Sequence, residues 1–287
     1  MIEAKVREPK LVSLSTDPDR LKNEIEAFDD FGAFEELMAR PYTRRIKKEV
    51  DEYMSSIELR GATILELGCG ISEHAHRFNQ NNTMILTDIN WNLLQKNPPP
   101  SILVLCDAQN LEQFDDGSID FLIYVGILHH LQDQRLALRE AARVLKPGGR
   151  IFICEPNKKS LNFVYYHLRR MSMRLIGKQV LKKMIGCFTP DEEQLDIATI
   201  NEVFDAHYEV NSWTILSFRL PPFRIFKNSK IDVLISNILD RLPPFRSIGT
   251  TILYEIKSRR GSFSRTRESS EVISVEPSAL SERILQP

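Results

Sequence analysis

The segment Ile64-Leu65-Glu66-Leu67-Gly68-Cys69-Gly70-Ile71-Ser72 constrains this chain more than any other. An apolar run of strand type, 63–67, passes directly into Gly-x-Gly and then into a stretch of helical type, 72–79. Glycines allow the tight turn and let a ligand reach the backbone with no Cβ in the way. A helix start presents free N–H groups to a polar or anionic group. Twenty residues after Gly68, at the end of the next apolar run (83–87), stands Asp88. At that spacing a carboxylate accepts hydrogen bonds from two ribose hydroxyls. A unit of this kind points to a parallel sheet with a nucleotide- or nucleoside-type pocket at its carboxyl edge.

The rest of the chain continues the pattern. Apolar runs at 102–105, 119–125 and 150–154 predict three more strands, and 132–145 predicts a helix stopped by Lys146-Pro147-Gly148-Gly149. Two further strands are expected at 209–218 and 248–257, preceded by a helix at 191–204. Strands that are apolar throughout, alternating with helices, belong to an α/β sheet covered on both faces. Upstream, 23–54 reads as helices interrupted at Pro41, and 1–20 as a poorly ordered arm. The organisation expected is therefore an N-terminal arm with lid helices (1–44), one α/β domain (45–257) with insertions at 156–190 and 219–247, and a disordered, serine-rich tail (258–287).

The pocket's chemistry can be narrowed. The third glycine of a dinucleotide-type Gly-x-Gly-x-x-Gly is absent, with Glu73 or His74 in its place. Glu66 stands just before the loop, where its charge opposes a diphosphate and favours an ammonium or sulfonium ligand. A nicotinamide-dependent oxidoreductase is thus the disfavoured enzyme alternative, and a non-catalytic protein that has kept the fold is the other rival.

Three later segments complete the pattern: Cys106-Asp107-Ala108, Phe114-Asp115-Asp116-Gly117-Ser118-Ile119-Asp120, and Arg143-Val144-Leu145-Lys146-Pro147-Gly148-Gly149-Arg150. With these in order, the chain resembles the class I S-adenosylmethionine-dependent methyltransferases, in the group that includes quinone and small-molecule enzymes. The resemblance is good over about residues 45–155 and weaker beyond. It implies a Rossmann-like seven-stranded sheet of order 3-2-1-4-5-7-6, the last strand antiparallel, with helices on both faces, and S-adenosyl-L-methionine as cofactor. It further implies that the Gly68-Cys69-Gly70 loop passes under the methionine part and that Glu66 lies near the amino group. Asp88 would hold the ribose hydroxyls, Ile89 would pack on adenine, Asp107 and Ala108 would read the adenine edge, and the backbone at Val125 would face the methionine part. Ser72 stands where the family often has glycine.

Methyl transfer from a sulfonium is an in-line displacement, so the protein mainly orients the acceptor and excludes water. A general base is needed only where the acceptor must lose a proton. His129 and His130, directly after the fourth strand, are the candidates for that base, since histidine titrates in the useful range. Glu155 and Asn157, after the fifth strand, are candidates for the pocket wall. Cys69, His74 and His76 lack a fourth clustered ligand, so no metal site is expected. The four cysteines form no CxxC pair, and a reducing cytoplasm is the simplest location.

The chain of 287 residues carries a net charge of -1, which excludes an overall basic nucleic-acid binder. The total hides an asymmetry: 156–190 contains eight Lys or Arg and no Asp or Glu, interleaved with aromatic and aliphatic residues. Two readings of this segment stand. One is a lid over the site with a solvated basic face; the other is a peripheral contact with anionic membrane, suited to a lipophilic or lipid-linked acceptor. The activity expected is O- or C-methylation of a small molecule.

Overall fold

A computed structural model describes residues 16–28, 41–158, 160, 192–204, 206–215, 238 and 250–259. The basic segment beyond Ser160, the insertion at 219–247 apart from Ile238, the serine-rich tail beyond Arg259 and the arm before Thr16 lie outside these residues. Ser258, expected to open the tail, ends the last strand.

The elements follow in the order α1 (Pro18–Phe28), α2 (Pro41–Ser56), β1 (Thr63–Leu67), α3 (Ala75–Phe78), β2 (Thr83–Asp88), α4 (Trp91–Leu94), β3 (Ile102–Leu105), β4 (Ile119–Val125), a 3-10 turn (Leu128–His130), α5 (Gln134–Val144), β5 (Leu145–Pro156), α6 (Ile197–Val203), β6 (Tyr208–Ile215) and β7 (Thr251–Ser258). They form one seven-stranded sheet of order β3-β2-β1-β4-β5-β7-β6. Strands β1 to β5 pair in parallel, and β7 runs antiparallel to both β5 and β6. This is the Rossmann-like order expected from the sequence.

The apolar strands divide their side chains between two cores. Leu65, Leu67, Leu122 and Tyr124 face a core closed by α5 and α6; Ile64, Phe121 and Ile123 face one closed by α2, α3 and α4. All of these strand residues are 1% exposed or less, so each contributes about 1.5–3 kcal/mol of burial. Tyr53 of α2 stacks on Phe152 of β5 with ring centroids 4.4 Å apart, and its hydroxyl reaches Glu255 of β7 at 3.0 Å. Helix α2 is thereby fastened across the sheet's antiparallel side.

Several expected boundaries moved, each for a local reason. The turn at Lys146–Gly149 is a loop-out within one strand. Leu145 already pairs with Ile119, and the register then shifts so that Arg150 faces Phe121. The helix expected over 191–204 starts only after Asp196, because Leu195 bridges Asn157 and the Asp196 carboxylate caps the Ala198 N–H at 3.1 Å. The arm reading of 1–20 is corrected from Thr16 onward. Asp17 Oδ1 accepts the N–H groups of Asp19 and Arg20 at 3.0 and 3.1 Å, starting α1 with Pro18 in its first turn.

Candidate active site

Parallel pairing aligns the carboxyl ends of β2, β1 and β4, with Leu67 beside both Thr87 and Tyr124 and Asp88 beside Leu105. The candidate residues of the sequence therefore gather on one rim. The turn after β1 is tied to β2 by Cys69 N–H to Thr87 O at 2.9 Å and Gly70 N–H to Asp88 Oδ2 at 2.7 Å. Asp88 also accepts the Asn90 N–H at 2.8 Å, so its carboxylate organises both the glycine turn and the start of α4. Burial raises the Asp88 pKa, and these backbone bonds oppose the rise. Ile89 and Val125 are half-buried at the same edge, and Ala108 is buried.

Gly68 and Gly70 both take left-handed backbone, with φ of 60° and 51°. At Gly68 a Cβ would stand 1.9 Å from Ile127 Cδ1, so the turn after β1 and the turn after β4 touch there. At Gly70 a Cβ would meet nothing within 4 Å, which leaves open space above the backbone.

The rim is rich in buried acids. Glu66 is 4% exposed, and burial pushes its carboxyl up to about 7 against the Ser72 hydrogen bond. Asp107 uses both oxygens within the protein: Oδ1 accepts the Gln109 N–H at 2.9 Å, and Oδ2 accepts the Thr16 N–H and hydroxyl at 3.0 and 2.8 Å. Gln109 also donates to the Thr16 hydroxyl and accepts the Asp133 N–H at 2.6 Å.

Beyond β4 the two histidines lie with ring centroids 4.0 Å apart, each on its own carboxylate. His129 Nδ1 stands 2.6 Å from Glu155 Oε2, while Glu155 Oε1 accepts the N–H groups of Ile127 and Leu128 at 2.9 and 2.7 Å. Burial lowers the His129 pKa, but the Glu155 charge and hydrogen bond outweigh it, and the net shift is upward. His130 Nδ1 lies 3.2 Å from Glu24 Oε2 of α1.

A protein-family model described as a methyltransferase domain matches residues 65–153, from β1 to β5. Over this stretch, and in its strand order, the chain is similar to the class I S-adenosylmethionine-dependent methyltransferases. Thiol S-methyltransferase TMT1B of Rattus norvegicus is 29% identical over 132 residues, covering 42% of this chain and 54% of that protein. Ubiquinone biosynthesis O-methyltransferase of Xanthomonas oryzae pv. oryzae is 30% identical over 145 residues, covering 47% and 56%. The chain thus spans about half the length of these curated relatives. The crystal structure of a SAM-dependent methyltransferase from Thermotoga maritima superposes with a TM-score of 0.55 at 16% identity, over 83% of this chain and all of that one.

The candidate site fits S-adenosylmethionine on two observations of its own. The left-handed Gly70 opens onto free space, and the carboxylates of Glu66 and Asp88 suit an ammonium and a pair of hydroxyls. When bound, S-adenosylmethionine supplies an activated methyl group; the chain's own residues bind, orient and exclude water around it.

Sequence reasoning expected lid helices within 1–44 but missed the start of α1 before Asn23 and its polar ties to the site. Arg20 Nη2 donates to the carbonyls of His130 and Leu131 at 2.9 and 3.0 Å, Asp17 N–H to Gln132 Oε1 at 2.9 Å, and Phe28 packs edge-on against His130. Every one of these contacts lands beside the candidate bases. The available signal was Asp17-Pro18, a helix start lying inside what reads as an arm.

Proposed function

We propose that this protein transfers a methyl group from S-adenosylmethionine to a small acceptor whose oxygen or sulfur must lose a proton. The observation that carries the reading is the Glu155–His129 pair. Glu155 is anchored by two backbone N–H groups and accepts a hydrogen bond from the Nδ1–H of His129, a tautomer that leaves the lone pair on Nε2. An imidazole held in that tautomer accepts a proton from a hydroxyl or thiol as the methyl transfers, and the carboxylate stabilises the imidazolium that forms. An amine acceptor that reacts as the free base needs no such pair.

Both acceptor atoms have support among the relatives, one named for a thiol and one for the oxygen of a quinone precursor. Oxygen is favoured because an ordinary thiol ionises with much less help than an alcohol, whereas the anchored base suits the less acidic group. We further propose that the acceptor is lipophilic. The apolar and cationic residues of 156–190 follow β5, next to Glu155, and their composition suits an amphiphile or an anionic membrane surface.

The experiment is a methyl-transfer screen with methyl-labelled cofactor against matched alcohols, phenols, thiols and amines carrying short or long alkyl chains. Transfer to hydroxyl compounds that is lost in His129→Asn supports the reading. Transfer to amines alone, undiminished by that substitution, overturns it.

A further inference from the structure

The Ser72 hydroxyl occupies a position with no spare capacity. A serine hydroxyl offers one donor and two acceptor sites. Both acceptor sites are used: Ser72 Oγ takes the His74 N–H at 3.1 Å and the Ala75 N–H at 3.0 Å, capping the short helix α3. The hydroxyl proton therefore has one destination, Glu66 Oε2, at 2.5 Å. Ser72 is a donor by construction, and Glu66 accepts. Among the described residues no other hydrogen bond reaches the Glu66 carboxylate, which lies almost wholly out of water.

The placement of Ser72 is itself fixed from behind. Its N–H donates to Asn97 Oδ1 at 2.7 Å, and Asn97 Nδ2 returns bonds to the carbonyls of Gly70 and Leu94 at 2.8 and 2.9 Å. The glycine turn, α4 and the Ser72 hydroxyl thus form one braced unit aimed at Glu66.

The charged groups around Glu66 do not substitute for this bond. Glu73, in the same loop, is also acidic and is ion-paired to Lys47 of α2. Asp88 of β2 is a further acid, and Asp51 of α2 acts on His74. Burial lowers the pKa of His74 and raises that of Cys69, which favours the uncharged form of each. The acids disfavour an anionic Glu66, and Lys47 is engaged by Glu73. The Ser72 hydroxyl is the nearby group that supports the anion.

We propose that Ser72 is a positioning residue for the cofactor: its hydroxyl holds Glu66 as the carboxylate that receives the cofactor's amino group, so that loading the site requires Glu66 to be without its proton. This rests on the methyltransferase reading and extends it to a pH-gated step of cofactor loading. With the Glu66 carboxyl at about 7, the fraction in the receptive form rises across neutral pH.

The test is calorimetric titration of S-adenosylhomocysteine into the wild-type protein, Ser72→Ala and Ser72→Thr between about pH 6 and 8.5, each in two buffers of different ionisation enthalpy. The wild type is expected to bind more tightly as pH rises through about 7, releasing a proton at the low end. Ser72→Ala is expected to bind about tenfold more weakly at neutral pH, with the rising limb displaced upward by about one unit. Ser72→Thr, which keeps the hydroxyl and the cap, should restore the wild-type curve. A Ser72→Ala curve with the wild-type midpoint overturns the proposal, and a loss of equal size at every pH assigns Ser72 a capping role only and overturns it too. No binding by the folded wild-type protein at any pH overturns the cofactor reading itself, an outcome distinct from the other two.

Discussion

Glu155 joins His129 to the backbone turn that carries it: one carboxylate oxygen meets the ring at 2.6 Å and the other takes the N–H groups of Ile127 and Leu128. The histidine's tautomer, its orientation and the shape of the turn after β4 therefore depend on a single side chain from β5.

Glu155→Gln should lower the His129 pKa. The carboxylate is the largest influence raising it, and an amide removes the charge while keeping the shape. A base works in its neutral form, so activity rises as pH climbs through the histidine pKa. In the variant that limb moves to lower pH, while the maximal rate falls because the imidazolium loses its counter-charge. Ring-proton NMR titration of His129 checks the first part without any acceptor, and the pH profile of methyl transfer checks the second. An unmoved His129 titration would remove Glu155 from the mechanism.

Asp88→Ala should weaken S-adenosylhomocysteine binding by about 1.5–3 kcal/mol, the range for hydrogen bonds to a charged group. Part of the loss comes through the turn, because the Gly70 N–H loses its acceptor. Asp88→Asn keeps an acceptor oxygen for one of the two backbone N–H groups and should lie between Ala and wild type. Calorimetry on all three proteins gives the order, and equal affinities would refute the assignment of Asp88 to the ribose.

How much of this was legible follows from the range of each interaction. The strands announce themselves because a parallel strand buried on both faces is apolar at nearly every position, as in Thr63–Leu67, broken only by Thr63 and Glu66, and Ile119–Val125, broken by Asp120. Gly68, Gly70 and Asp88 are legible because the turn geometry and the ligand dictate their spacing within one βαβ unit. His129 and Glu155 could each be placed at a strand end, but their pairing spans 26 residues and depends on the register of β4 with β5. Helix α1 was hardest. Its apolar stripe, Leu21, Ile25 and Phe28, is only half-buried, and its closest ties run from Arg20 and Glu24 to residues far along the chain, a pairing that no local pattern encodes.

Gly68→Ala and Gly70→Ala should separate stability from binding. Each forces an L-residue into left-handed backbone, at about 1–2 kcal/mol. At Gly68 the new methyl also collides with Ile127, so thermal stability should fall further there, with partial recovery in Gly68→Ala/Ile127→Ala. At Gly70 nothing in the protein is struck, and the larger effect should be on S-adenosylhomocysteine affinity, since the methyl fills space left for a ligand. Melting temperatures and calorimetry on the three variants test this. Equal melting losses at both sites would contradict the Ile127 contact.

Arg20→Ala should release α1 from the site. The guanidinium joins α1 to the carbonyls of His130 and Leu131. Hydrogen bonds from a charged donor are worth about 1.5–3 kcal/mol, a large share of what can hold an 11-residue polar helix in place. Amide exchange over residues 18–28 should therefore quicken markedly in the variant, while β1, β4 and β5 keep their protection. Loss of α1 also takes Glu24 from His130 and Thr16 from Asp107, which removes a carboxylate beside one candidate base and frees an Asp107 oxygen at the rim. Unchanged exchange in α1 would mean that the Thr16, Asp17 and Phe28 contacts hold the helix without Arg20.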